Sequence, residues 1–165
     1  MYGGTGEYLY LINPSTAEVQ PICELPIRTT ALTFTDDGRL VVGSEKTILF
    51  LDVQTCETET LIANAFHETS GDIVGLPDGY LYWTVFGDDS DVLVRVDPNT
   101  GVEVEIGPVG YSRLFGLGYS DGQLYGFNSE GQVLRMSPQE GQAILSAQRE
   151  DLSWWGAATN PVAWN

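Results

Sequence analysis

Short runs of alternating apolar and polar residues recur along the whole chain, separated by clusters of Gly, Pro, Asp, Asn and Ser. Period-two alternation over four to eight residues is the mark of a half-buried β-strand, and a helical period is not sustained anywhere. Four segments can be set beside one another: LYLINPSTAEV, LFLDVQTCETE, LVRVDPNTGVE and VLRMSPQEGQA. Each is an apolar strand running into a turn of the Asp-Pro-x-Thr-Gly kind. Their anchors are Asn13, Asp52, Asp97 and Ser137, at spacings of 39, 45 and 40 residues. A second unit precedes three of them: ALTFTDDGRLVVG, DIVGLPDGYLYWT and GLGYSDGQLYGFN. In each, an apolar strand meets an Asp-Gly turn and a second strand, a strong hairpin signal because Gly supplies the positive φ that tight turns need.

One repeat therefore contains four strands. Four-stranded units recurring at about 40 residues predict a β-propeller, since a single sheet buries too little to stand alone and must stack on its neighbours. Counting from Ser137 past Asn165 and on to Asn13 supplies a fourth spacing of 41 residues. The tail GAATNPVAWN then aligns with the inner strand ALTFTDDGR, and the head MYGGTGEYLYLIN with LVVGSEKTILFLD. The expected fold is all-β: one domain over residues 1–165, four four-stranded blades of about 41 residues and 15 to 16 strands. Velcro-style closure would pair residues 155–159 with residues 2–4 in one ladder, removing an open edge. An eight-bladed ring built from a twofold dimer satisfies the same pattern, so the chain is expected as a monomer or a twofold homodimer.

The repeat style resembles that of bacterial propellers with YVTN-type and NHL-type repeats. The likeness is carried by residues 93–101, 117–125 and 31–42. It implies the propeller superfamily and no particular activity, because those families hold enzymes, lectins, scaffolds and sensors alike.

Composition narrows the function classes. Seven Lys and Arg stand against 23 Asp and Glu, a net charge of −16, and Lys46 is the sole lysine. Such a field disfavours nucleic acid and anionic membranes as partners. No stretch approaches the roughly 18 apolar residues of a membrane-spanning helix, and no signal peptide is visible.

Candidate chemistry is sparse. With one histidine, His67, a multi-histidine metal site is excluded. His67 beside Glu68 has the elements of a base and an orienting carboxylate, and streptogramin-lyase-like propellers use such a pair. Gluconolactonase-like propellers hold a divalent metal with carboxylates near the axis, whereas the inner strands here carry mostly small or apolar residues, with Asp72 as the single acid.

Two clusters remain as candidate sites. Aligned inner strands place Arg28, Thr69, Arg113 and Trp154 at one equivalent corner, with Thr29, Ser70, Leu114 and Trp155 beside it. Guanidinium donors next to tandem tryptophans suit a carbohydrate or a small anionic ligand, so this end of the ring, with His67, is the expected ligand face. Residues 86–93 hold the extra length of the long repeat, and Asp88, Asp89 and Asp91 there could offer oxygen ligands to Ca²⁺. No other cofactor is implied.

Cys23 and Cys56 match no metal-binding spacing. With strands drawn parallel to the ring axis, Cys56 falls on one rim and Cys23 near the other, roughly 15 Å apart, beyond the about 4.4–6.8 Å that a disulfide bridges. Two free thiols, and with them a reducing compartment such as the cytoplasm, are the expectation. The functional expectation is a binding or assembly module, not an enzyme, with a protein or carbohydrate partner. A structural part of a virion or surface array and a lyase- or lactonase-like enzyme are the alternatives.

Overall fold

A computed structural model describes residues 1–159. Among these residues fourteen strands form four antiparallel sheets, and there is no helix. The first sheet pairs β1 (Tyr2–Ile12) with β2 (Val19–Thr29). The second runs β3 (Ala31–Phe34), β4 (Leu40–Ser44), β5 (Thr47–Leu51) and β6 (Thr58–Ile62). The third holds β7 (Thr69–Gly75), β8 (Leu81–Val85), β9 (Val92–Val96) and β10 (Glu103–Pro108). The fourth holds β11 (Leu114–Ser120), β12 (Gln123–Asn128), β13 (Gln132–Met136) and β14 (Ala143–Gln148). In the last three sheets chain order is also spatial order, inner strand to outer strand. The architecture is propeller-like.

The repeat seen in the sequence is a repeat of hydrogen bonds. At Ala17, Cys56, Gly101 and Gly141 the amide donates over 2.8 Å to the carbonyl of Asn13, Asp52, Asp97 and Ser137 respectively. All four donors have positive φ, between 58° and 77°. The anchor side chain accepts from an amide two residues on in three of the turns: Ser15 to Asn13, Gln54 to Asp52 and Asn99 to Asp97. Anchors with a short acceptor side chain are therefore required by the turn itself.

Burial explains the strand compositions. The central strands LVVGS (β4) and LYWTV (β8) are buried at every position, since a sheet stands on each side of them. Outer strands such as β14 face water along most of their length. Three apolar clusters fill the gaps between successive sheets. The first is built around Leu9, Leu25 and Val42, the second around Ile48, Trp83 and Val94, and the third around Leu93, Leu117 and Leu134. Among the described residues no such cluster joins the fourth sheet to the first.

The count of 14 departs from the expected 15 to 16 for two reasons. Met1 and Ile12 exchange both backbone hydrogen bonds (2.7 and 3.1 Å), so β1 doubles back and serves as two strands of its repeat. Residues 155–159 run beside the inner strands but form no ladder with residues 2–4. The expected pairing is absent among the described residues, and the part of the tail in residues 160–165 lies outside them.

The expectation of two free thiols is overturned: Cys23 and Cys56 form a disulfide, with Cα atoms 5.4 Å apart. The error lies in treating every strand as parallel to the axis. Each strand is rotated by roughly 20–25° from its neighbour, so the outermost strand of a blade is steeply inclined. Successive residues of β2 therefore move around the ring more than along it. That motion carries Cys23 over the β5–β6 turn of the next sheet, where it packs with Leu40, Leu51 and Cys56. The bond also weakens the inference of a reducing compartment.

Candidate ligand face

The four aligned corners are the places where an outer strand hands over to the next inner strand. Arg28 is the penultimate residue of β2, just before β3, Thr69 opens β7, Arg113 immediately precedes β11, and Trp154 precedes the inner C-terminal segment. Arg28 and Arg113 are exposed. Arg113 adopts φ 59° and its guanidinium pairs with Glu130 across the neighbouring hairpin. Thr69 is spent internally, accepting the Trp83 indole N–H at 3.0 Å and donating to the Gly71 carbonyl at 2.9 Å.

The tandem tryptophans divide their roles. Trp154 donates its amide to the Asn128 carbonyl at 3.2 Å and sets the edge of its indole against Phe127, with ring centroids 5.9 Å apart. Trp155 is 74% exposed yet held flat: it stacks on Phe115 at 5.1 Å with 9° between the planes. Asn128, fully buried, fixes this corner by accepting the Glu130 and Gln132 amides at 3.1 and 3.0 Å. The result is an aromatic plate with one open face, its Phe115 two residues along the chain from Arg113. Phe115 and Asn128 escaped the sequence reading. The only signal for Phe115 was its place between the Arg113 corner and the first glycine of the inner strand.

His67 does not join this plate. It lies on the crossover into β7, where its Nδ1 contacts Glu103 Oε2 at 2.8 Å and its Nε2 lies 3.6 Å from Glu105 Oε2. Glu103 also accepts the amides of Phe66 and His67, at 2.9 and 3.2 Å, so the histidine straps the crossover to the outer strand β10. Its sequence neighbour Glu68 is not its partner.

The three aspartates of the long hairpin also separate. Asp88 and Asp89 face water, whereas Asp91 is buried with its carboxylate accepting the Leu114 amide at 2.9 Å. Burial pushes the Asp91 carboxyl above its ordinary value, against the lowering effect of the Leu114 amide. Among the described residues no group of three His, Cys, Asp or Glu side chains is placed to hold a metal ion. Asp91 instead ties the third sheet to the fourth. Asp91→Ala should destabilise the fold by about 1–3 kcal/mol, because the Leu114 amide is left buried and unpaired. A urea midpoint unchanged from wild type would refute that role.

With this geometry in hand, comparison with solved structures is informative about the fold. A structural-genomics target assigned provisionally as a gluconolactonase matches with a TM-score of 0.66 at 12% identity, over 91% of this chain and 60% of its own length. A Bacteroides caccae protein of unknown function matches at 0.59 and 18% identity, over 96% and 59%. A puromycin hydrolase matches at 0.53 and 16% identity, over 84% and 24%. These likenesses establish the fold alone. The chain spans about three fifths of the length of the first of these structures. No family model and no curated protein matches the sequence, so the YVTN-type and NHL-type repeats are not confirmed and the likeness is one of fold.

Proposed function

We propose that the protein is a non-enzymatic binding module, with the corner end of the ring as its ligand face and a carbohydrate as the ligand. The observation that carries this reading is Trp155, exposed over three quarters of its surface and immobilised by stacking on Phe115. A large aromatic ring left open to water but already ordered loses little entropy on binding, and its apolar face matches the C–H face of a sugar ring. Arg113, exposed two residues before Phe115 and paired with Glu130, has further guanidinium donors that suit sugar hydroxyls. Two further aromatics, Phe66 and Phe86, are exposed at the corner into β7 and at the hairpin that follows β8, which suits a face larger than a single side chain.

Lactonase and hydrolase chemistry is named for two of the similar structures and belongs to them. Here the sole histidine is committed to Glu103 and Glu105 on an outer strand.

A glycan array, followed by titration of tryptophan fluorescence with any hit, tests the proposal. Saturable quenching is expected, and Trp155→Ala should weaken binding at least about tenfold with an unchanged β circular-dichroism signature. Silence across the array, or full affinity in Trp155→Ala, would overturn it.

A further inference from the structure

Three Asp-Gly pairs sit in the hairpins that join the first two strands of the second, third and fourth sheets: Asp37–Gly38, Asp78–Gly79 and Asp121–Gly122. All three aspartates are exposed, so access to water does not distinguish them. An aspartate followed by glycine carries a latent reaction with its own chain, because the glycine has no side chain to shield its peptide nitrogen from the carboxyl. Two groups must be free for that reaction: the aspartate carboxyl and the glycine amide.

In the first two pairs both groups are engaged. Gly38 donates its amide to the Thr35 carbonyl at 3.1 Å, and Gly79 donates to the Leu76 carbonyl at 3.1 Å. The Asp37 carboxylate accepts from the Arg39 guanidinium at 2.9 Å and from the Thr35 hydroxyl. The Asp78 carboxylate accepts the Tyr80 amide at 3.1 Å and the Tyr82 hydroxyl at 2.8 Å. These are three-residue loops ending in a left-handed glycine, φ 87° and 85°, whose amide closes the turn. The third hairpin is tighter. Ser120 pairs directly with Gln123, which leaves a two-residue loop with positive φ at both positions, 51° at Asp121 and 76° at Gly122. The residue after the glycine closes a loop of that kind, and the Gly122 amide has no acceptor among the described residues. The Asp121 carboxylate has one partner there, the Ser120 hydroxyl at 3.5 Å. A Cβ placed on Gly122 would meet nothing within 4 Å, so the approach to its nitrogen is open.

We propose that Asp121–Gly122 is the site at which the folded protein converts to isoaspartate, while the turns around Asp37 and Asp78 protect the other two pairs. The Gly122 nitrogen attacks Cγ of Asp121. A C–N bond forms, the carboxyl hydroxyl leaves with the amide proton as water, and a five-membered succinimide results. Water then adds back to the ring. Opening on the Cγ side restores aspartate. Opening on the α-carbonyl side leaves the backbone running through the side chain, one methylene longer and with a free α-carboxylate. One water leaves and one enters, and no electron is transferred. The free α-carboxylate makes the product a substrate for a protein carboxyl methyltransferase that draws its methyl group from S-adenosylmethionine. The hairpin lies at the opposite end of β11 from Phe115, so the site is independent of the ligand face.

Wild-type protein aged at physiological temperature, one sample folded and one held in concentrated guanidinium, tests the site. Isoaspartate is counted by enzymatic methylation from labelled S-adenosylmethionine, followed by peptide mapping. In the folded sample the peptide carrying Asp121 should take up at least about tenfold more label than those carrying Asp37 or Asp78, which must first release both an amide and a carboxylate from their hydrogen bonds. In guanidinium, where the turns are lost, the three peptides should label alike. Equal labelling in the folded sample would overturn the proposal, as would label led by Asp37 or Asp78, or an unlabelled Asp121. A preference for Asp121 that survives in guanidinium would trace to local sequence and would overturn it too.

Discussion

Alanine at Gly71 or at Gly75 is expected to cost more than about 4 kcal/mol, enough to remove most of the stability of a typical domain. Both glycines are on β7, the strand clasped between two other inner strands. A Cβ on Gly71 would overlap the Leu114 carbonyl oxygen and lie 2.8 Å from its carbon. On Gly75 it would overlap the Phe34 carbonyl oxygen and lie 3.1 Å from its carbon. The obstructing atoms are backbone, on strands that are themselves locked by ladders, so neither neighbour can rotate aside as a side chain would. Relief would require the second and fourth sheets to move away from the third, opening the apolar clusters on both sides of it.

Gly118 provides the control. It is an inner-strand glycine too, but a Cβ there would meet nothing nearer than a Phe127 ring carbon at 3.6 Å, an ordinary contact. Gly118→Ala should stay within about 1 kcal/mol of wild type. Guanidinium denaturation of the three variants is the measurement. Gly71→Ala unfolding at the wild-type midpoint would show that the inner strands are not packed this closely.

That contrast shows where sequence reasoning stops. Small residues on the inner strands are visible as a class, and so are the Asp-Pro and Asp-Gly turns. These turns have local causes: the anchors Asp52 and Asp97 and the positive φ at Gly101 and Gly141 act within five residues. Which glycine is indispensable depends on a strand some forty residues away, and alternation does not encode that. The same limit hid the real partner of His67, which is Glu103 on a distant outer strand and not the adjacent Glu68. It also hid the stacking of Phe115 beneath Trp155, which joins an inner strand to the C-terminal segment. Asp72 stood out by composition, as the single acid among small residues. Only the fold shows its carboxylate accepting the Ile73 and Leu117 amides. The aspartates of the long hairpin erred in the other direction: nearness in sequence suggested a shared cation, and the fold turned Asp91 inward to an amide.

Breaking the Cys23–Cys56 bond should have the second large effect. The bond closes a segment with a sequence separation of 33 residues and joins β2 of the first sheet to the β5–β6 turn of the second. In the chain-entropy account, opening a loop of that length stabilises the unfolded state by about 3–4 kcal/mol. The native state has little with which to compensate, because the first sheet is built from β1 and β2 alone and has no apolar cluster on its far side among the described residues. Loss of the bond should therefore lower the urea midpoint markedly and shift the melting temperature down by roughly 6–16 °C, at about 2–4 °C per kcal/mol for a domain of this size. Two variants separate the bond from its setting. Cys56 occupies the left-handed turn position held elsewhere by Gly101 and Gly141. Cys56→Gly thus removes the bond while easing the turn, and should be less damaging than Cys23→Ser by up to about 1 kcal/mol. Equal stability of the oxidised and reduced wild-type protein in urea would mean that the first sheet is held by its apolar contacts alone.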